Sequence, residues 1–244
     1  MLLAYFDGDA PADLPDRIGD LLAHRGLGRS QVSVSAIPQQ DWEADWRRFF
    51  NPIWATSRIV IHPSWIPVEV EDGQIAIIID PRMAFGTGEH ESTQLCLQMI
   101  EEFVEPGGQC LDLGTGSGIL AIAAARLGAG PVRALDTDRA AVLNARENLI
   151  RNGIPSTQVQ VSKGGVERVS GERFDLILGN IQSSVLRPLL SPVRACLRGG
   201  GQVVLSGLLA REQAAFCAAV EREQLRVAEV RSLGEWICVR AQAV

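Results

Sequence analysis

The residues most able to do chemistry are glycines and carboxylates at fixed spacing. In the stretch Cys110 to Leu120 a short apolar strand passes Asp112 and runs into Gly114, Gly116 and Gly118. A helix-forming run, Ile119 to Leu127, follows at once. Glycine lets the backbone turn tightly and lets a ligand approach where a Cβ would clash. The helix N-terminus offers unpaired N–H groups. One strand later, Val132 to Asp136 ends in an acid about 20 residues past the first glycine, a spacing at which a carboxylate can take two ribose hydroxyls.

The glycine register narrows the ligand. A dinucleotide pyrophosphate calls for G-x-G-x-x-G. Here the pattern is Gly114-x-Gly116-x-Gly118 and position 119 is Ile, so the pyrophosphate cradle is imperfect. A closer, acid-flanked G-x-G-x-G suits a nucleoside without phosphates. An ordinary strand-to-helix turn, with glycines for packing, is the bland alternative.

Two further segments join this one. Phe174 to Asn180 reads as a buried strand ending in a polar side chain, and Asn180 is either a site residue or a cap for the next helix. The loop Phe85-Gly86-Thr87-Gly88-Glu89-His90-Glu91-Ser92-Thr93 crowds glycines, acids and hydroxyls before an amphipathic helix, about Ser92 to Val104. Ser92 or Thr93 can cap that helix, and His90 can tie the loop to a carbonyl. In an open α/β sheet ligands bind outside the carboxyl ends of the strands. Asp112 to Gly118, Asp136 and Asn180 all stand there, and the loop can cover the same edge.

The chain has 244 residues, enough for one large domain or one plus a small appendage. It is 46% hydrophobic and 21% charged, with formal net charge −6. Lysine is rare and no basic run occurs, which argues against a nucleic-acid backbone as the main partner. An acidic surface favours a basic protein substrate through steering. The five cysteines form no C-x-x-C and read as reduced core thiols; the three histidines are far apart and indicate no metal site. The first residues lack a basic signal-peptide region, and no apolar run reaches the roughly 18 residues of a membrane span. A cytoplasmic monomer is expected.

The remaining elements must position these groups. Leu2 to Phe6 and Gln31 to Ile37 read as strands around a helix, Ala12 to His24. Trp42 and Trp46 share a helical face that docks a connecting helix. Ile59 to His62 and Gln74 to Ile79 are β-rich. From Cys110 onward strands and helices alternate, which predicts a parallel sheet covered on both faces. The end, Arg226 to Ser232 and Glu235 to Ala241, predicts an antiparallel hairpin turning near Gly234. The expected domains are a small α+β piece at 1–40, a linker helix at 41–57 and the main α/β domain at 58–244.

With these residues in place, the chain resembles the ribosomal protein L11 methyltransferase family, PrmA-type. The resemblance is carried by Phe85 to Thr93, by Asp112-Leu-Gly-Thr-Gly-Ser-Gly-Ile-Leu120, by Leu135 to Asp138 and by Gly179-Asn180-Ile181. Asp41-Trp42, Trp46-Arg47 and Glu235-Trp236 extend it. It implies a Rossmann-like class I fold that uses S-adenosylmethionine (SAM) and methylates α- and ε-amino groups of that large-subunit ribosomal protein. It also implies SAM-binding roles for Thr93, Gly114, Gly116, Asp136 and Asn180, with Phe85 and Gly86 from the loop, and a catalytic role for Asn180 against the acceptor nitrogen. The sequence has Gly179 where the family commonly has Ala, and a shorter substrate-recognition region than the family's. Two alternatives stand beside this one. The first is a methyltransferase for another protein, a nucleic acid or a small-molecule amine; against a base as substrate, Asn180-Ile-Gln-Ser lacks the Pro-Pro-aromatic stretch that stacks a flipped base. The second is a non-catalytic SAM-binding adaptor in ribosome assembly.

Overall fold

A computed structural model describes residues 11–26, 50–80 and 88–244. The chain divides into two compact units, 1–49 and 50–244. In the first, the described element is helix α1, Leu14–His24, opened by a proline in its first turn. The strands expected at 2–6 and 31–37 and the Trp42–Trp46 helix face lie outside the described residues.

The second unit begins with a small sheet: β1 (Ile53–Trp54), β2 (Ile59–His62) and β3 (Ile75–Ile78). β1 is antiparallel to β2, and β2 is parallel to β3. The described part of the expected 41–57 linker is therefore partly extended. Asn152 anchors this sheet. Its side chain accepts from Ile78 N at 2.9 Å and donates to Ile78 O at 2.8 Å.

The main sheet follows the predicted alternation. Its elements are α2 (Glu91–Phe103), β4 (Cys110–Leu113), α3 (Ile119–Arg126), β5 (Val132–Asp136), α4 (Arg139–Arg151), β6 (Val159–Lys163), β7 (Phe174–Asn180), α5 (Ser183–Cys196), β8 (Leu197–Leu209), α6 (Gln213–Arg222), β9 (Leu225–Leu233) and β10 (Trp236–Ala243). The strand order is β6-β5-β4-β7-β8-β10-β9. β4 to β8 pair in parallel, and β10 is antiparallel to both neighbours. The order reverses between β4 and β7, which opens a crevice at their carboxyl ends.

Strand periodicity builds two cores, one per face. Cys110, Leu176, Leu178, Val204 and Cys238 point to the face of α2, α3 and α4. Leu111, Ile177, Val203, Leu205, Ile237 and Val239 point to the face of α5 and α6. Burying each large aliphatic side chain contributes roughly 1.5–3 kcal/mol. The hairpin is pinned to α2 by charge. Arg231 Nη1 and Nη2 donate to the two Glu102 carboxylate oxygens at 2.7 and 2.6 Å, and the Arg240 guanidinium lies 3.9 Å over the Phe103 ring.

Candidate active site

β4 ends in a turn with Gly114, Gly116 and Gly118 all at positive φ. The requirement for glycine is double at Gly114: φ is +67°, and a Cβ would stand 2.8 Å from Ile181 Cδ1. Beneath the turn, Asp112 is fully buried. Its Oδ2 accepts from the Thr115 hydroxyl at 2.6 Å and from Ala121 N at 3.2 Å, tying β4 to both the turn and α3. Its Oδ1 is buried and has no hydrogen-bond partner among the described residues. Burial pushes the Asp112 carboxyl up to about 6; the Thr115 and Ala121 bonds oppose the shift, and the Asp136 charge adds to it.

Asp136 closes β5 beside this turn. One oxygen accepts from Gly116 N at 2.9 Å and the other from Asp138 N at 2.9 Å. Asp138 in turn caps α4 through Ala140 N at 2.9 Å. The half-exposed Asp136 carboxylate is thus aimed by two backbone amides and keeps lone pairs for a ligand.

Asn180 closes β7 across the crevice. Its Nδ2 donates to the Thr93 hydroxyl at 3.1 Å. Its Oδ1 is buried without a hydrogen-bond partner among the described residues. The side chain does not cap α5, whose N-cap is Gln182. Thr93 is fully buried in the first turn of α2. The cap of α2 is His90, not Ser92 or Thr93: Nδ1 lies 3.3 Å from Ser92 N and 2.8 Å from Ser92 Oγ. This leaves the Thr93 hydroxyl for the site. The His90 ring also meets Trp236 of the hairpin edge-on, with centroids 4.5 Å apart.

The structure therefore brings Thr93, Gly114, Gly116, Asp136 and Asn180 to one strand edge. Phe85 and Gly86 lie outside the described residues. Ser206 and Gly207, beside Ile181, carry no signal of a motif in the sequence. A glycine inside a strand pattern is the available signal for Gly207. Two recesses, of about 340 and 180 Å3, open at the other ends of the strands, around Arg133 and around Asp175. Neither includes Asp112, Asp136 or Asn180. No group of acids, histidines and cysteines able to hold a metal occurs among the described residues. No helix there is long and apolar enough to cross a membrane.

SAM fits these groups. The glycines at 114, 116 and 118 let a nucleoside approach the backbone of the turn, and Asp136 offers acceptors for ribose hydroxyls. The strand order, with its antiparallel β10 between β8 and β9, together with this edge, defines a Rossmann-like methyltransferase fold.

Comparison with known proteins gives the family. A family model described as ribosomal protein L11 methyltransferase (PrmA) matches residues 1–243, and the chain belongs to that family. The chain is 38% identical over 213 residues to the ribosomal protein L11 methyltransferase of Desulforapulum autotrophicum, covering 87% of this chain and 70% of the relative. It is 40% identical over 214 residues to that of Pelotomaculum thermopropionicum, covering 87% and 69%. The crystal structure of the ribosomal protein L11 methylase from Lactobacillus delbrueckii subsp. bulgaricus superposes with TM-score 0.74 at 32% identity, covering 80% of this chain and all of that one.

Proposed function

We propose that this chain transfers methyl groups from SAM to amino groups of ribosomal protein L11, with Asn180 at the acceptor nitrogen. It is a SAM-dependent protein methyltransferase of the PrmA family. Gly114 and Gly116 give the nucleoside its close approach, Asp136 takes the ribose hydroxyls, and Thr93 meets the methionine end. Phe85 and Gly86 complete the cofactor site from the loop. Residues 1–40 serve substrate recognition, 41–57 link, and 58–244 carry the chemistry. The enzyme acts as a cytoplasmic monomer and does not bind nucleic acid directly.

When bound, SAM supplies a methyl group on a positively charged sulfur, a leaving group that needs no acid. The protein's part is positioning and exclusion of water. A lysine amine has a pKa near ~10.4 and must lose its proton before it attacks. Burial of the amine in the site lowers that value, and the proton leaves to water. Asn180 Oδ1 accepts a hydrogen bond from the neutral amine and turns its lone pair toward the methyl. Thr93 holds the amide nitrogen, which leaves the oxygen for the amine.

The observation that supports this reading best is the unpaired Asn180 Oδ1, buried at the switch point while its own Nδ2 is held by Thr93. The test is incubation with labelled SAM and unmethylated L11, alongside an extract lacking the modification. Label on L11 amino nitrogens, lost in Asn180→Ala, is expected. Label in RNA or a small molecule, or SAM binding without transfer, overturns the substrate assignment.

A further inference from the structure

β8 is irregular where it passes the switch point. Against β10, Leu205 pairs with Val239 and Leu208 with Ile237, so Ser206 and Gly207 together face the single residue Cys238. Two residues against one is a β-bulge, which bends a strand and re-aims its neighbours, often beside active sites. Gly207 has φ +80°, and a Cβ there would stand 2.7 Å from O, 2.8 Å from C and 2.9 Å from N of Ile181. These are backbone atoms, with no rotamer into which to retreat. The Ser206 hydroxyl donates to Ile237 O at 2.8 Å and ties the bulge to β10.

The other face of the bulge meets the catalytic strand end. Asn180 is the register partner of Ser206, and Ile181 N donates to Ser206 O at 3.0 Å. From the opposite side, Ile181 Cδ1 occupies the space that a side chain at Gly114 would need. The residue after Asn180 is thus gripped by backbone at Gly207 and by the glycine turn at Gly114. The Asn180 side chain is held at its far end by Thr93.

We infer that the Ser206–Gly207 bulge is a positioning device for the methyl-transfer step: it sets where the peptide of Ile181 sits, and so where the Asn180 carbonyl oxygen points. Gly207 acts through Ile181 and Asn180, not on the reacting groups. A side chain at 207 displaces Ile181 and rotates Asn180 off the acceptor nitrogen, while the Asp136 carboxylate keeps its bonds from Gly116 N and Asp138 N. The inference rests on the assignment of Asn180 to that nitrogen.

The test is a double-mutant cycle on the full chain, reading kcat for L11 methylation and, by calorimetry, the Kd for SAM. The variants are Gly207→Ala, Ser206→Ala, Asn180→Ala and the two doubles containing Asn180→Ala. A displacement of about an ångström at a reacting group costs about 100-fold in rate, the loss expected in kcat for Gly207→Ala. Ser206→Ala removes one hydrogen bond and is expected to lose about tenfold. The SAM Kd stays within about threefold in both, and neither change slows the Asn180→Ala enzyme further, because coupled positions are non-additive.

Losses that add fully to that of Asn180→Ala, or a SAM Kd that weakens in step with kcat, overturn the inference. An Asn180→Ala enzyme with near wild-type kcat overturns the Asn180 assignment and the inference with it. A slow Asn180→Ala enzyme beside unimpaired bulge variants overturns the inference alone. Should Gly207→Ala fail to fold, Ser206→Ala completes the same cycle.

Discussion

The amide nitrogen of Asn180 lies 3.1 Å from the hydroxyl of Thr93, joining the end of β7 to the first turn of α2 across 87 residues of sequence. That contact occupies the amide nitrogen and leaves the buried carbonyl oxygen without a partner among the described residues. Thr93→Val keeps the shape of the side chain and removes the acceptor. The loss of a neutral hydrogen bond, about 1 kcal/mol, sets a floor of about fivefold on the fall in kcat, with Thr93→Ser near wild type. Equal rates for Val and Ser would remove Thr93 from the orienting role.

Asp136 receives two backbone amides and keeps lone pairs for ribose. Hydrogen bonds to a charged group contribute about 1.5–3 kcal/mol, so Asp136→Ala is expected to raise the SAM Kd by about 10- to 100-fold. Calorimetric titration with SAM measures it. Because the amine side is untouched, kcat at saturating SAM is expected to fall much less.

The Asp112 carboxyl carries a pH dependence whose sign follows from its raised value. Its folded-state pKa, pushed up to about 6 by burial, exceeds the value of 3.8 for the free group. The folded protein therefore holds this proton more tightly. Stability from this group is fully present below about 3.8 and is lost as pH rises through about 6. At one unit per 1.36 kcal/mol the span is on the order of 2–3 kcal/mol. Asp112→Asn keeps the acceptor for Thr115 and Ala121 and removes the titration. Comparing thermal unfolding of the two proteins without ligand between pH 5 and 7.5 isolates the effect: the wild type gains on the variant as pH falls. Parallel curves would contradict it.

His90 caps α2 through its Nδ1. His90→Ala is expected to cost about 1 kcal/mol of stability, and His90→Asn to restore most of it, since asparagine is a strong cap. The pH–rate profile of His90→Asn keeps the wild-type inflections. Disappearance of an inflection in that variant would place His90 in the chemistry.

Much of this molecule is written locally. The run from Cys110 to Leu120 specifies strand, turn and helix because apolar alternation, left-handed glycines and an alanine-rich helix are short-range effects. The strand-end positions of Asp136 and Asn180 are legible for the same reason. Local signals conflict elsewhere: β8 runs on through Gly199 to Gly201, and α5 accommodates both Pro188 and Pro192. The short strand at Ile53–Trp54 falls within the 41–57 stretch expected to be a linker helix.

What the sequence by itself determines is therefore the inventory: a nucleoside cradle, an acid for ribose, a polar strand end and the alternation that places them on one edge. Only the tertiary structure decides that Thr93 grips Asn180, that His90 takes the cap and frees Thr93, and that Ser206 and Gly207 face one residue of β10. Each of these depends on strands and helices that meet from distant parts of the chain. Such pairings are set by packing and register over the whole sheet, which no local window of residues contains.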